Sequence, residues 1–270
     1  MSDARTADRH ADRNVYAPHG LLGVLTPQAN PTAEVEMSML LPPGMAACTA
    51  RLTSTKPAMA QRLVDYFDTL SATLGQFGGM RLDAACFACT GSSYLAGAAR
   101  EDALLEAAGK ACGFPVLSSA LSITNALRTL EAEDIAIVSP YDTALTEASV
   151  AYWQARGFRV RHVQRVAAGG AASGHPIYGL PADAAQRALA AMPALQVDAV
   201  LLLGTGMPSL AAILDNPQWR GAPVLSSMLA LAWAGAGVCD ARHRGPSALR
   251  EWIGGKHWRA AHASRMATAP

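Results

Sequence analysis

The sequence predicts a duplicated, doubly wound α/β fold, and three observations carry that prediction. Short unbroken apolar runs alternate with longer stretches of helical periodicity. Residues 82–91 (LDAACFACTG) align without a gap on residues 197–206 (VDAVLLLGTG). Two further segments recur in the same order: residues 27–34 (PQANPTAE) match 140–147 (PYDTALTE), and PVLSSAL from Pro115 matches PVLSSML from Pro223. The matched positions lie 113, 115 and 108 residues apart. That spacing is too long for a solenoid, whose repeats run about 20–50 residues, and suits two copies of a domain. Strands such as VLLL, apolar at every position, need cover on both faces, which a parallel sheet flanked by helices provides.

Residues 1–15 read as a disordered tail: the first 14 are polar, include Arg5, Arg9 and Arg13, and hold no apolar stretch of the secretory-signal type. The first α/β half-domain is expected over 16–125, with strands at 20–26, 46–53, 82–88 and 115–118. The second spans 126–222, with strands at 134–139, 158–166 and 197–203. A strand is also expected at 223–226, within a segment, 223–240, read as a helix packing back on the first half. Helical patterns fall near 57–76, 93–112, 119–131, 143–156, 182–192 and 207–215, and 241–270 reads as a basic tail.

Composition narrows the function. With 51% hydrophobic and 16% charged residues the chain can bury a core and is not a disordered polymer. A net charge of +1 gives no electrostatic case for nucleic acid. Arg242, His243, Arg244, Arg250, Lys256, His257 and Arg259 read as a solvated helix and tail. No run reaches the roughly 18 apolar residues of a membrane span, so no membrane partner is expected. The cysteines, at 48, 86, 89, 112 and 239, show no metal-ligand spacing. Cys86 and Cys89 form a C-x-x-C, but on a strand their side chains point to opposite faces, which argues against a redox disulfide. Reduced thiols and a cytoplasmic protein are the expectation. No sequence signal for a metal or organic cofactor is present, and low charge with high apolar content is compatible with a homo-oligomer.

In doubly wound folds ligands bind beyond the carboxyl ends of the strands. Four segments fall there: Pro27–Gln28–Ala29–Asn30, Cys89–Thr90–Gly91–Ser92–Ser93, Pro140–Tyr141–Asp142 and Gly204–Thr205–Gly206. Cys89 stands where the backbone N–H groups of Thr90, Gly91 and Ser92 open a helix, a setting that binds anions and lowers a thiol's pKa. The plainer reading, a buried inert thiol, is assigned to the other four cysteines. Gly204-Thr205-Gly206 offers the same backbone without the thiol, and also reads as a tight turn that needs glycine. It is not a nucleotide fingerprint, since Met207-Pro208 follows. Asn30 is a candidate donor to a bound carboxylate, or only a turn former before Pro31. Tyr141 either presents its phenol to the cleft or lies on the surface. Glu34 and Glu147 read as first-turn helix residues. The loop 168–181 carries Ser173, His175 and Tyr178 and is a candidate cover. Where the first half has Cys89, the second has Gly204: a thiol on one side of the cleft and a vacancy on the other.

The motifs LTPQANPTAE (25–34), ACTGSS (88–93), SPYD (139–142) and LLGTG (202–206) together resemble the aspartate/glutamate racemase superfamily, in the branch holding maleate cis–trans isomerase and arylmalonate decarboxylase. The resemblance covers about residues 20–238. It implies two pseudo-symmetric, Rossmann-like, mainly parallel α/β domains with the active site between them. It further implies a small dicarboxylate substrate, Cys89 and Tyr141 as catalytic groups, and Pro27, Gln28, Asn30, Thr90, Gly91, Gly204, Thr205 and Gly206 around the substrate. Racemases and maleate isomerases of this branch use two cysteines, one from each half. Cys89 matches the first, and the second falls on Gly204. Arylmalonate decarboxylase uses one cysteine, from the second half, so this chain resembles its mirror arrangement, whereas Asn30 matches the isomerase motif.

Two-base chemistry needs an acid and a base on opposite faces of a carbon, which one thiol cannot supply. Decarboxylation of a 2-substituted malonate needs donors for an enediolate and one proton donor. Leu25, Leu203 and Met207 are the expected apolar surroundings of the departing carboxylate. The sequence therefore favours a cofactor-independent decarboxylase. It predicts protonation from the face opposite to that used when the cysteine lies in the other half. A maleate-type isomerase using Cys89 as nucleophile is the alternative, and a non-catalytic carboxylate-binding protein is the alternative of another class.

Overall fold

The computed structural model describes residues 14–166 and 176–267. Two sheets are built in the same order. The first runs β2 (Met45–Leu52), β1 (Gly20–Pro27), β3 (Ala84–Phe87), β4 (Val116–Ser118), all parallel. The second runs β6 (Arg159–Arg165), β5 (Asp134–Ser139), β7 (Ala199–Leu202), β9 (Ala222–Ser226), all parallel, with the short β8 (Gln218–Trp219) antiparallel at the β9 edge. All residues of β1, β3 and β7 are buried, as their mainly apolar sequences require.

The duplication extends to individual hydrogen bonds. The Asp83 carboxylate accepts from Leu21 N at 2.8 Å, and its repeat partner Asp198 accepts from Asp134 N at 2.8 Å. Each thus closes the amino end of the first strand of its half. Ser118 Oγ accepts from Leu121 N at 2.9 Å and Ser226 Oγ from Leu229 N at 3.2 Å, so the two PVLSS segments end a strand and cap a helix alike. The capped helices, Ser119–Thr129 and Ser227–Cys239, pack against each other, and the second also lies on β1, β3 and β4. A buried polar knot ties the halves: Glu101 accepts from Ser118 Oγ at 2.5 Å, from Arg156 Nη2 at 2.8 Å and from Tyr152 Oη.

Several elements differ from expectation. The pattern at 57–76 is two helices, Met59–Asp68 and Leu70–Gly75, and that at 93–112 is broken at Gly97 into Thr90–Ala96 and Ala98–Cys112. The helix expected from 207 begins at Leu210, since Pro208 interrupts the turn before it. Helix Ala33–Leu40 carries Glu34 in its first turn, as its reading as a first-turn helix residue implies. The segment 223–240 is not one helix, because its first residues complete the second sheet as β9. Much of the supposed basic tail is folded, with helices Gly245–Ile253 and Arg259–Met266. Its charge masked an apolar face, on which Trp252 and Trp258 are fully buried. Among the described residues no helix is long and apolar enough to cross a membrane.

Candidate active site

Residues at or just beyond the carboxyl ends of β1, β3, β5 and β7 line one cleft between the halves, with a cavity volume of about 100 Å³. Pro27, Cys89, Thr90, Gly91, Tyr141, Thr205 and Gly206 meet there. Cys89 follows β3 in extended conformation (φ −150°, ψ 90°) and stands at the cap position of helix Thr90–Ala96. Its Sγ accepts from Ser92 Oγ at 3.3 Å, and the N–H groups of Gly91 and Ser92 also point at it. Those donors favour the thiolate, as the sequence suggested. Burial is nevertheless the largest influence and pushes the thiol's pKa up, since taking the anion out of water costs more than the donors restore. The lowering effect of the helix start is therefore outweighed, which favours the neutral S–H.

Across the cleft, Tyr141 Oη lies 2.7 Å from Thr90 Oγ1, and burial keeps its phenol protonated, far above the usual pKa. One hydroxyl of this pair donates to the other, leaving an O–H free for a ligand oxygen. A matching contact runs the opposite way. Asn30 Nδ2 donates to Thr205 Oγ1 at 3.2 Å, and Thr205 Oγ1 donates to Ala88 O at 2.8 Å. The loop after the first strand of each half thus reaches the threonine of the other. Asn30 Oδ1 accepts from Thr32 N at 2.9 Å and Ala33 N at 3.1 Å, so its carbonyl supports the start of helix Ala33–Leu40. Neither Asn30 nor Gln28 is among the residues lining the cleft; Gln28 Oε1 turns outward to accept from Ser54 N at 2.7 Å. Glu34 pairs with Arg51, and Glu147 is exposed. His175 and Ser173 lie outside the described residues.

The vacancy expected opposite Cys89 is closed. Gly204 has φ +88°, and a Cβ built on it would lie 2.8 Å from Ile177 Cδ1, 3.1 Å from Pro140 Cγ and 3.2 Å from Tyr141 Oη. Ile177 belongs to the short 3-10 turn Pro176–Gly179. The next residue, Tyr178, covers Gly206, where a Cβ would lie 2.5 Å from its ring. Leu25, Leu203 and Met207, the expected apolar surroundings, are core residues that do not line the cleft. Leu63, Leu145, Ile177 and Met59 line it instead. Helix Met59–Asp68, which contributes Met59, Arg62, Leu63 and Tyr66, carried no sequence signal beyond its periodicity. That located the helix but not the face it turns to the cleft.

The loop bearing Thr205 and Gly206 is held from below. Buried Glu36, on helix Ala33–Leu40, accepts from Ser209 N at 2.6 Å and from Ser209 Oγ at 3.0 and 3.1 Å. Burial raises its pKa from 4.5 to about 7 against the pull of the Ser209 and Leu210 N–H groups. A carboxyl raised on folding contributes stability that is complete below its unfolded pKa and is lost as pH rises through its folded pKa. For this shift the loss is about 3 kcal/mol between pH 4.5 and 7. Glu36→Gln can keep both contacts to Ser209 without ionising. It is expected to remove this fall in stability, measured as thermal midpoints across the interval; an unchanged slope would show that Glu36 does not titrate there.

Among the described residues no group of three or more His, Cys, Asp or Glu could hold a metal. A sequence model described as arylmalonate decarboxylase matches residues 22–250. A maleate isomerase of Nocardia farcinica (strain IFM 10152) is 31% identical over 120 residues, 44% of this chain and 47% of that protein, so the chain matches about half the length of this relative. A cysteine-to-serine variant of N. farcinica maleate cis–trans isomerase, solved with a covalently bound succinylcysteine intermediate, superposes with a TM-score of 0.73 at 23% identity. The match covers 86% of this chain and 98% of that one. A crystal structure of arylmalonate decarboxylase gives a TM-score of 0.63 at 21% identity, covering 82% and 92% of the two chains. These structures share the fold of the present chain.

Proposed function

The chain belongs to the arylmalonate decarboxylase family, and from that footing we propose that it decarboxylates a 2-substituted malonate without a cofactor, with Cys89 as the proton donor. The observation that carries this reading is the filled position opposite the thiol. Ile177 and Pro140 crowd Gly204, so one face of a bound carbon meets an S–H and the other meets hydrocarbon and a phenol. One carboxylate is received by the free O–H of the Thr90–Tyr141 pair and the N–H groups of Thr205 and Gly206. The other lies against Leu63, Leu145 and Ile177, where a dry apolar wall favours neutral CO₂ over the anion. The bond from the α-carbon to that carboxylate breaks, and its electron pair passes into the retained carboxylate as an enediolate. Cys89 then gives its proton to the α-carbon and is reprotonated from water. A neutral buried thiol suits this acid role better than the role of a nucleophile. Protonation comes from the first-half face, opposite to that of a decarboxylase with its cysteine in the second half.

A maleate-type isomerase is the second reading, favoured by the position of Tyr141 Oη, 3.2 Å from the point where a Gly204 Cβ would stand. There the phenol is placed to act as the acid a second thiol would supply. Against it stands the N. farcinica variant, in which an isomerase short of one cysteine carries a succinylcysteine. A single-thiol cleft is expected to hold maleate in the same way. Proton NMR in D₂O with phenylmalonate, methylphenylmalonate and maleate separates the two. Deuterium at the α-carbon of a monoacid, with no fumarate, is the expected result. Fumarate without monoacid would replace decarboxylation by isomerisation.

A further inference from the structure

The cleft has a second polar end that the reaction above does not use. Arg62, on helix Met59–Asp68, is the one cation among the described residues lining it. Its Nη1 donates to the carbonyls of Lys56 at 3.2 Å and Pro57 at 3.0 Å, which fixes the guanidinium without neutralising it. No carboxylate among the described residues pairs with it. Asp65, one turn along, is bound to Ser54 Oγ at 2.5 Å, and Asp142, the other charged residue of the lining, accepts from Leu145 N at 2.8 Å. Tyr66 and Tyr178 both lie within electrostatic reach of Cys89 and of Arg62. Both phenols line the same cleft as the thiol and the guanidinium. A ligand seated against Cys89 that extends along these rings can reach a guanidinium that no carboxylate among the described residues pairs with.

We propose that Arg62 is the specificity-determining residue of the cleft, and that the substrate's substituent is an apolar or aromatic segment ending in a carboxylate. This deepens the decarboxylase reading and rests on it for the malonate end alone. The tyrosine walls accept a flat ring. The planar guanidinium matches a carboxylate with its uncommitted N–H donors.

The test compares phenylmalonate with (4-carboxyphenyl)malonate, ligands that differ only at the far end. Binding is measured by calorimetry on Cys89→Ala protein, where turnover is expected to be slowed about 10²–10⁴-fold. The carboxylated ligand is expected to bind at least about tenfold more tightly, as befits a hydrogen bond to a charged group. Adding Arg62→Gln is expected to bring the ratio to about one, and Arg62→Lys to retain part of it. Equal affinities in the parent, failure of the carboxylated ligand to bind, or a preference that survives Arg62→Gln would overturn the inference. Wild-type turnover of the same pair reports on the reaction separately. An Arg62-dependent preference without CO₂ release upholds Arg62 and rejects decarboxylation, whereas CO₂ release without the preference does the reverse.

Discussion

Replacing Cys89 with alanine is expected to lower turnover about 10²–10⁴-fold, the contribution of a well-placed general acid, while leaving ligand affinity in place. Cys89 is buried and its Sγ accepts one side-chain hydrogen bond, from Ser92 Oγ. Alanine removes the proton donor and leaves a gap of one sulfur atom, too small to collapse β3. Cys89→Ser retains a neutral hydroxyl at a slightly different reach, but a much weaker acid, and is also expected to be slow. The measurement is the rate of monoacid formation, with calorimetry of a malonate on the same protein as the control for folding. Activity within about tenfold of wild type would remove Cys89 from general-acid catalysis. Wild-type protein that binds but never turns over any member of the panel would favour a carboxylate-binding protein, for which Cys89→Ala should change little.

The parts of this site that were legible in the sequence are those fixed by short-range chemistry and repeated twice. Asp83 and Asp198, Ser118 and Ser226, and the two glycine-bearing turns after β3 and β7 could be aligned because each does the same local work in its half. Cys89 stood out because its repeat partner is Gly204. Residues whose role depends on long-range packing were not legible. Ile177 comes from a segment with no counterpart in the repeat, and nothing local says that it fills the space beside Gly204. Arg62 and Tyr66 lie on a helix whose orientation is set by packing against helix Thr90–Ala96, a relation between elements rather than a pattern within one. The direction of the Cys89 pKa was not legible for a related reason. Donors can be read from a turn sequence, but the extent of burial cannot. Trp252 and Trp258 were hidden by charged neighbours that face water while the indoles face the core.

Gly204→Cys is expected to destabilise the protein by about 2–5 kcal/mol, and not by itself to yield a two-thiol enzyme. Two costs add. A non-glycine residue at φ +88° is held in a left-handed conformation, about 1–2 kcal/mol. The new side chain must also displace Ile177, whose Cδ1 would lie 2.8 Å from the added Cβ, and overpacking of this kind costs about 1–3 kcal/mol. The thermal midpoint should fall by about 5–15 °C. Adding Ile177→Ala removes the clash but not the backbone strain, so part of the stability returns, and the second sulfur can then face the carbon opposite Cys89. With donors on both faces, the double variant is expected to exchange the α-hydrogen of the monoacid product in D₂O and to racemise it. Wild type is expected to give one enantiomer, protonated from the Cys89 side. Chiral chromatography of the deuterated product measures both. If Gly204→Cys alone kept wild-type stability and racemised the product, Ile177 would not be what keeps the second face free of an acid, and the single-thiol account of the cleft would rest on the glycine alone.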